Sequence, residues 1–289
     1  MTHKDSGRLQ PAARTTRLPL RLASALFAMT WLHGCGGGDG GASDMATAMA
    51  CAFANCKDSP EVVASDIAAS YEVVQEGTRV SVTSTLGYRY NLVTVVRLRG
   101  GDALVASAGT QSRQMVATDP LLVNFTASFE AQPATPTLSV DFIRGTQVER
   151  STVTLPKAFV LLNPLGPVTL PLSAGQLLVD VSAPPAEPVT VNASGTCSRT
   201  DGTSVAYNSG LMGAVQLVGA MGSGSRYRVD AAALDVAINA TGAAKVTQCD
   251  LTLKWQRVIE GSSPAGLHPN SKILGITQQP MALHYDAMS

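Results

Sequence analysis

Residues 245–258, KVTQCDLTLKWQRV, set Cys249, Leu251, Leu253 and Trp255 at alternate positions. Alternation with period 2 puts those four side chains on one face of an extended strand, whereas an amphipathic helix would bring apolar residues together three and four apart. The same period recurs in 121–129 (LLVNFTASF), in 78–85 with Val80 and Val82 aligned, and in 137–144 with Leu138, Val140 and Phe142 aligned. Residues 91–99, 176–181, 189–198, 233–240 and 281–285 complete the predicted strands. Turn formers separate them, among them Gly100-Gly101-Asp102 and the Pro-rich 132–136. Thr200-Asp201-Gly202-Thr203 predicts a type I′ hairpin turn, because Asp-Gly accepts positive φ. Residues 57–69 leave room for a short helical turn, and no long amphipathic helix is present. Many short strands at this spacing predict an all-β protein of two immunoglobulin-like β-sandwich modules. The Pro-punctuated stretch 156–167 (PKAFVLLNPLGP) places the first module at 60–157 and the second at 158–289.

The N-terminus predicts export. Lys4, Arg8, Arg14, Arg17 and Arg21 precede an apolar run of eleven residues, 22–32 (LASALFAMTWL), the arrangement of a signal peptide over residues 1–34. Eleven residues are too few to span a bilayer, which takes about 20. Leu32-His33-Gly34-Cys35 resembles the bacterial lipobox, with His33 where a small or aliphatic residue is usual, and so implies lipidation of Cys35. Segment 35–59 then holds a Gly-rich tether, 36–43 (GGGDGGAS), and a small Cys loop. Gly36 directly after the cysteine suggests sorting to the outer membrane, with the body facing the periplasm or the cell surface.

Composition agrees with an exported β protein. Only 15% of the 289 residues are charged and 5% are aromatic. Five of the 21 basic residues and one of the 21 acids lie in residues 1–35, so the remainder carries 16 against 20. That balance offers no basic field for nucleic acid. Five cysteines are an odd number, and lipidation of Cys35 leaves four. Of three connectivities, the one that keeps each pair within its own segment joins Cys51 to Cys56 and Cys197 to Cys249. The second bond would close a loop of about 50 residues, worth about 4 kcal/mol. No histidine or further cysteine lies near Cys51 and Cys56 to complete a metal site. Neither metal nor cofactor is expected.

The stretches 96–106 (VRLRGGDALVA), 151–159 (STVTLPKAF), 194–198 (SGTCS) and 249–257 (CDLTLKWQR) resemble parts of proteobacterial envelope lipoproteins with immunoglobulin-like sandwiches. That family has no established activity, so the resemblance implies a fold and a place in the cell envelope and transfers no functional residue. Trp255 follows the second cysteine by six residues instead of standing between the pair, unlike the tryptophan of antibody domains.

Catalytic motifs are missing from the sequence: there is no G-x-S-x-G, no H-E-x-x-H and no Gly-rich loop that leads into a helix. Beyond Cys35 the histidines are His268, in a predicted loop, and His284, in the predicted last strand. Met221-Gly222-Ser223-Gly224-Ser225 reads as a mobile loop. Tyr88-Arg89-Tyr90 and Arg226-Tyr227-Arg228 set aromatics beside cations, which suits an exposed protein or carbohydrate contact. The expected function is therefore a membrane-anchored, non-enzymatic binding or structural module with candidate surfaces around Tyr88 and Met221. A hydrolase that uses His268 or His284 as base is the first alternative, and a periplasmic assembly factor is the second.

Overall fold

The alternation in the sequence is realised as strands in three sheets. A computed structural model describes residues 55–118, 124–130, 136–211, 213–240 and 244–289, all within one compact unit. In chain order the strands are β1 (Cys56–Asp58), β2 (Ile67–Glu76), β3 (Arg79–Tyr88), β4 (Asn91–Arg97), β5 (Ala103–Ala108), β6 (Gln111–Gln114), β7 (Val116–Ala117), β8 (Asn124–Phe129), β9 (Thr137–Arg144) and β10 (Gln147–Thr154). They continue with β11 (Leu161–Asn163), β12 (Val168–Pro171), β13 (Gln176–Val181), β14 (Thr190–Arg199), β15 (Ser204–Gly210), β16 (Val215–Met221), β17 (Gly224–Asp230), β18 (Val246–Glu260) and β19 (Lys272–Asp286). Among the described residues one α-helix, α1 (Ala231–Asn239), lies between β17 and β18.

The large sheet has 11 strands in the order β1-β4-β3-β2-β19-β18-β14-β15, with β12 added on β19, β8 on β3 and β7 on β8. Two four-stranded sheets, β10-β9-β5-β6 and β11-β13-β17-β16, complete the fold. The first packs Leu104, Val140 and Phe142 against Tyr71, Val73, Val80 and Val82 of the large sheet. The second packs Val179, Val181, Tyr227 and Val229 against Leu253, Trp255 and Tyr285. The chain is therefore all-β, with two sandwich cores in tandem.

Both cores draw on the C-terminal hairpin. Strands β18 and β19 are 15 residues each, about 50 Å at roughly 3.4 Å per residue, long enough to run through both sandwiches. Residues 272–278 of β19 pair in parallel with β2, and residues 283–286 pair in parallel with β12. Ile273 enters the first core, whereas Met281, Leu283 and Tyr285 enter the second. All four are odd-numbered positions of one strand, so the two small sheets cover the same side of the large one. The even-numbered side carries no second sheet, although Ile276 and Gln278 on it are buried. Residues between Val62 and Leu155 supply the first core and residues from Phe159 on supply the second, except that Leu267 and Ile273 of the C-terminal segment return to the first. Parallel pairing of residues about 200 apart carries no local turn signal, and for that reason the shared hairpin is absent from the sequence expectation.

Two local expectations are corrected. Residues 233–240, predicted as a strand, fall largely in α1: Asp230 caps it by accepting from the Ala233 N–H at 2.9 Å, and Ala231, Leu234 and Ile238 form its buried stripe. Asp230→Ala is expected to cost about 1 kcal/mol, readable as a fall of a few degrees in thermal unfolding. The 200–203 turn is present, but Gly202 alone has positive φ, at 80°, so it is not type I′. The Asp201 carboxylate instead accepts from the Thr203 N–H at 3.0 Å and hydroxyl at 2.7 Å. The expected short helical turn is present as two 3-10 turns, Ser59–Glu61 and Ala64–Asp66. The first is held by Arg144, whose guanidinium donates to the Val62 and Ser59 carbonyls at 2.7 and 2.6 Å and to Asp102 at 2.7 Å.

Candidate functional site

The uncovered side of the large sheet is the candidate surface. Alternation puts hydroxyls and amides there while valine, leucine and phenylalanine go inward. On β3, Ser81, Thr83 and Thr85 face out between the buried Val80, Val82, Ser84 and Leu86. A ladder of amides crosses this side from the second sandwich to the first. Asn192 donates to Gln256 at 2.8 Å, Gln256 to Gln278 at 3.0 Å, and Gln278 to the Glu76 carboxylate at 2.8 Å. It links β14, β18, β19 and β2, so the two sandwiches share side-chain bonds as well as backbone.

Several depressions lie on this surface. In the first sandwich a cleft of about 430 Å³ is lined by Arg79, Ser81 and Thr83 of β3, Thr126 and Ser128 of β8, and Arg113, Gln114 and Val116 at the β6–β7 crossing. Pairing of Ser81 with Ser128 and of Thr83 with Thr126 sets the hydroxyls in two cross-strand rows. In the second sandwich a groove of about 310 Å³ is lined by Asn192, Ser194, Asn208, Ser209, Lys254 and Gln256. The cleft combines two guanidiniums with hydroxyls and can hold an anionic, hydroxyl-bearing group; the groove has one cation and is otherwise neutral.

The residues singled out in the sequence are distributed differently. Cys35 and Cys51 lie outside the described residues. Cys56 is disulfide-bonded, and Cys197 and Cys249 are joined directly across β14 and β18 with Cα atoms 4.0 Å apart. Close strand approach here needs glycine: a Cβ on Gly195 would stand 2.0 Å from the Asp250 carbonyl oxygen. The Tyr88 cluster is occupied by its own contacts. Lys57 lies 4.4 Å from the Tyr88 ring, Arg89 lies 4.0 Å from the Tyr90 ring, and Arg89 is paired with Asp66 at 3.0 Å. Those contacts fasten the segment after Cys56 to the end of β3.

Met221–Ser225 is no mobile loop but the tight turn of the β16–β17 hairpin, with Gly222 at φ 59°. Of Arg226-Tyr227-Arg228, the tyrosine is a core residue and the half-exposed arginines are bonded to Asp180 and Gln216 of neighbouring strands. Tyr227 is buried, accepts the Val189 N–H at 2.9 Å and meets the Trp255 ring edge-on at 5.5 Å. Arg226 holds both oxygens of Asp180, at 2.7 and 2.8 Å. That bond holds the Asp180 carboxyl below the usual carboxylate range. A depressed folded-state value gives stability that is present above the unfolded pKa, about 3.9, and is lost as pH falls through the folded value. Asp180→Asn is expected to flatten the decline of melting temperature below about pH 4.

His268 sits in the loop before β19, where its Nδ1 accepts from the Asn270 N–H at 3.2 Å. His284 lies on the open side of β19 with Nδ1 2.8 Å from the Asp250 carboxylate. Strand register sets Thr169 of β12 on its other flank, and all three line a depression of about 220 Å³.

No protein-family model and no curated protein matches the sequence. Among solved structures the chain is similar to the polymeric Ig receptor ectodomain of a teleost fish, at TM-score 0.23 and 11% identity over 76% of this chain and 99% of that one. It is also similar to CBD12 from CALX1.2, at TM-score 0.20 and 10% identity over 74% and 96% of the two chains. Likeness this distant carries no argument about ligand or function.

Proposed function

We propose that the protein is a non-enzymatic binding module tethered to a bacterial envelope membrane through lipid on Cys35. The observation that carries binding is the uncovered side of the large sheet, which presents a polar cleft on a rigid frame. Rigid sheets hold contact residues in place, so little ordering is needed when a ligand arrives. The signal-like leader, the Gly-rich tether and a buried disulfide, which persists in oxidising compartments, support the location. Protease shaving of intact cells tests it. Digestion of the body in wild-type cells, and its release into the medium in Cys35→Ala cells, fits a tethered surface module. Recovery of the wild type without lipid would sink the proposal.

One observation favours a second function. Asp250, His284 and Thr169 stand in a row across β18, β19 and β12, and a carboxylate that orients a histidine beside a hydroxyl is the layout of a general base and nucleophile. The row lies on an open sheet face. Hydrolysis of a model ester by the wild type and its loss in His284→Ala would favour the hydrolase.

A further inference from the structure

We propose that the cleft between Arg79 and Arg113 binds the carboxylate of an acidic oligosaccharide, a chain containing uronate sugars. This deepens the binding-module proposal and rests on it. Arg89, Arg97, Arg144, Arg150, Arg226 and Arg257 are each paired with a carboxylate. Arg79 has no such partner among the described residues, and Arg113 has only the Phe129 ring, 5.6 Å from its guanidinium carbon. Both line the same cleft, and no acid lines it with them. Glu76 stands opposite Arg79 in the strand register, but its carboxylate is held by the Gln278 amide at 2.8 Å.

An unpaired guanidinium is a planar fork of donors that matches a carboxylate with two parallel bonds. The rest of the lining tells which kind of carboxylate. Thr83, Thr126 and Ser128 carry hydroxyls with no bond among the described residues, and Ser81 makes only a long one, 3.5 Å, to the Val74 carbonyl. Hydroxyls that can both donate and accept complement the hydroxyls of a sugar ring. Apolar lining is limited to Val116 and Ala127, too little for a hydrophobic peptide anchor. No aromatic ring lines the cleft on which a neutral sugar would stack. Affinity must therefore come from the two cations, and the ligand must be charged as well as hydroxylated. The volume, about 430 Å³, falls in the range of small-ligand pockets. The residues beyond Cys35 carry more acid than base, so attraction is local to the cleft and not a long-range field.

Calorimetric titration of the full chain in detergent tests this with trigalacturonate, the neutral sugar trimer of equal length, and inorganic phosphate as probes. Trigalacturonate is expected to bind, and Arg79→Gln and Arg113→Gln are each expected to weaken it about tenfold, the loss of one charge-assisted contact. Both arginines are on the surface, and unchanged melting temperatures establish that the variants fold. Arg79→Lys keeps the charge but loses the fork, and is expected to fall between wild type and Arg79→Gln. Raising salt is expected to weaken the trimer. Equal binding of the neutral trimer, equal or tighter binding of phosphate, or unchanged affinity in both Gln variants would each overturn the proposal. Such a failure is separable from that of the tethered module, because shaving and release from Cys35→Ala cells do not depend on these arginines.

Discussion

Replacing Cys197 and Cys249 together with alanine is expected to lower stability by about 4 kcal/mol and the melting temperature by about 8–16 °C. The two cysteines are 52 residues apart in sequence and face each other across β14 and β18. In the chain-entropy account the bond acts on the unfolded state, by closing that loop before any strand forms. Both side chains are buried, so the double alanine also leaves a small void in the second core, a lesser effect. The form of the transition is as informative as its position. Strand β19 contributes to both cores, so a bond confined to the second sandwich is expected to shift a single cooperative transition, with calorimetric and van't Hoff enthalpies in agreement. Two separate transitions, only one of them moved by the substitution, would show that the shared hairpin does not couple the sandwiches.

Strand alternation was the most legible feature of the sequence because it follows from backbone geometry alone. The strands 137–144 and 176–181 occupy the predicted residues, and Cys249, Leu251, Leu253 and Trp255 are all buried on one face. Failures occurred where the deciding contact is distant or where two local signals compete. Alanine and valine around α1 fit strand or helix, and only the Asp230 cap and the packing of Leu234 and Ile238 choose between them. Tyr227 looked exposed because arginines flank it, yet in a strand the flanking residues face the opposite way. The cleft was half legible: Ser81, Thr83, Thr126 and Ser128 alternate with buried positions in the sequence. That β8 lies beside β3, and that Arg113 comes to the same place, depends on pairings no local pattern encodes. The shared hairpin has the same cause, since β2 and β19 meet from opposite ends of the described chain.

Trp255→Ala is expected to cost about 4 kcal/mol, the middle of the range for loss of a buried aromatic. Trp255 is fully buried in the second core, opposite Val191 on β14 and Gln279 on β19. Its ring supports the edge of Tyr227, whose hydroxyl in turn accepts the Val189 N–H. Truncation therefore opens a cavity and loosens the entry into β14 as well. Trp255→Phe should behave differently. The indole N–H has no acceptor among the described residues, so part of what the tryptophan gains by burial is offset by a lost bond to water. Phenylalanine gives up volume but removes that unpaired donor, and is expected to cost less than half as much as alanine in chemical denaturation. If alanine and phenylalanine cost the same, the indole N–H has a partner in the folded protein and the offset does not exist. If both cost under about 1 kcal/mol, the second core collapses around the smaller side chain, and the Tyr227 contact does not hold the strands together.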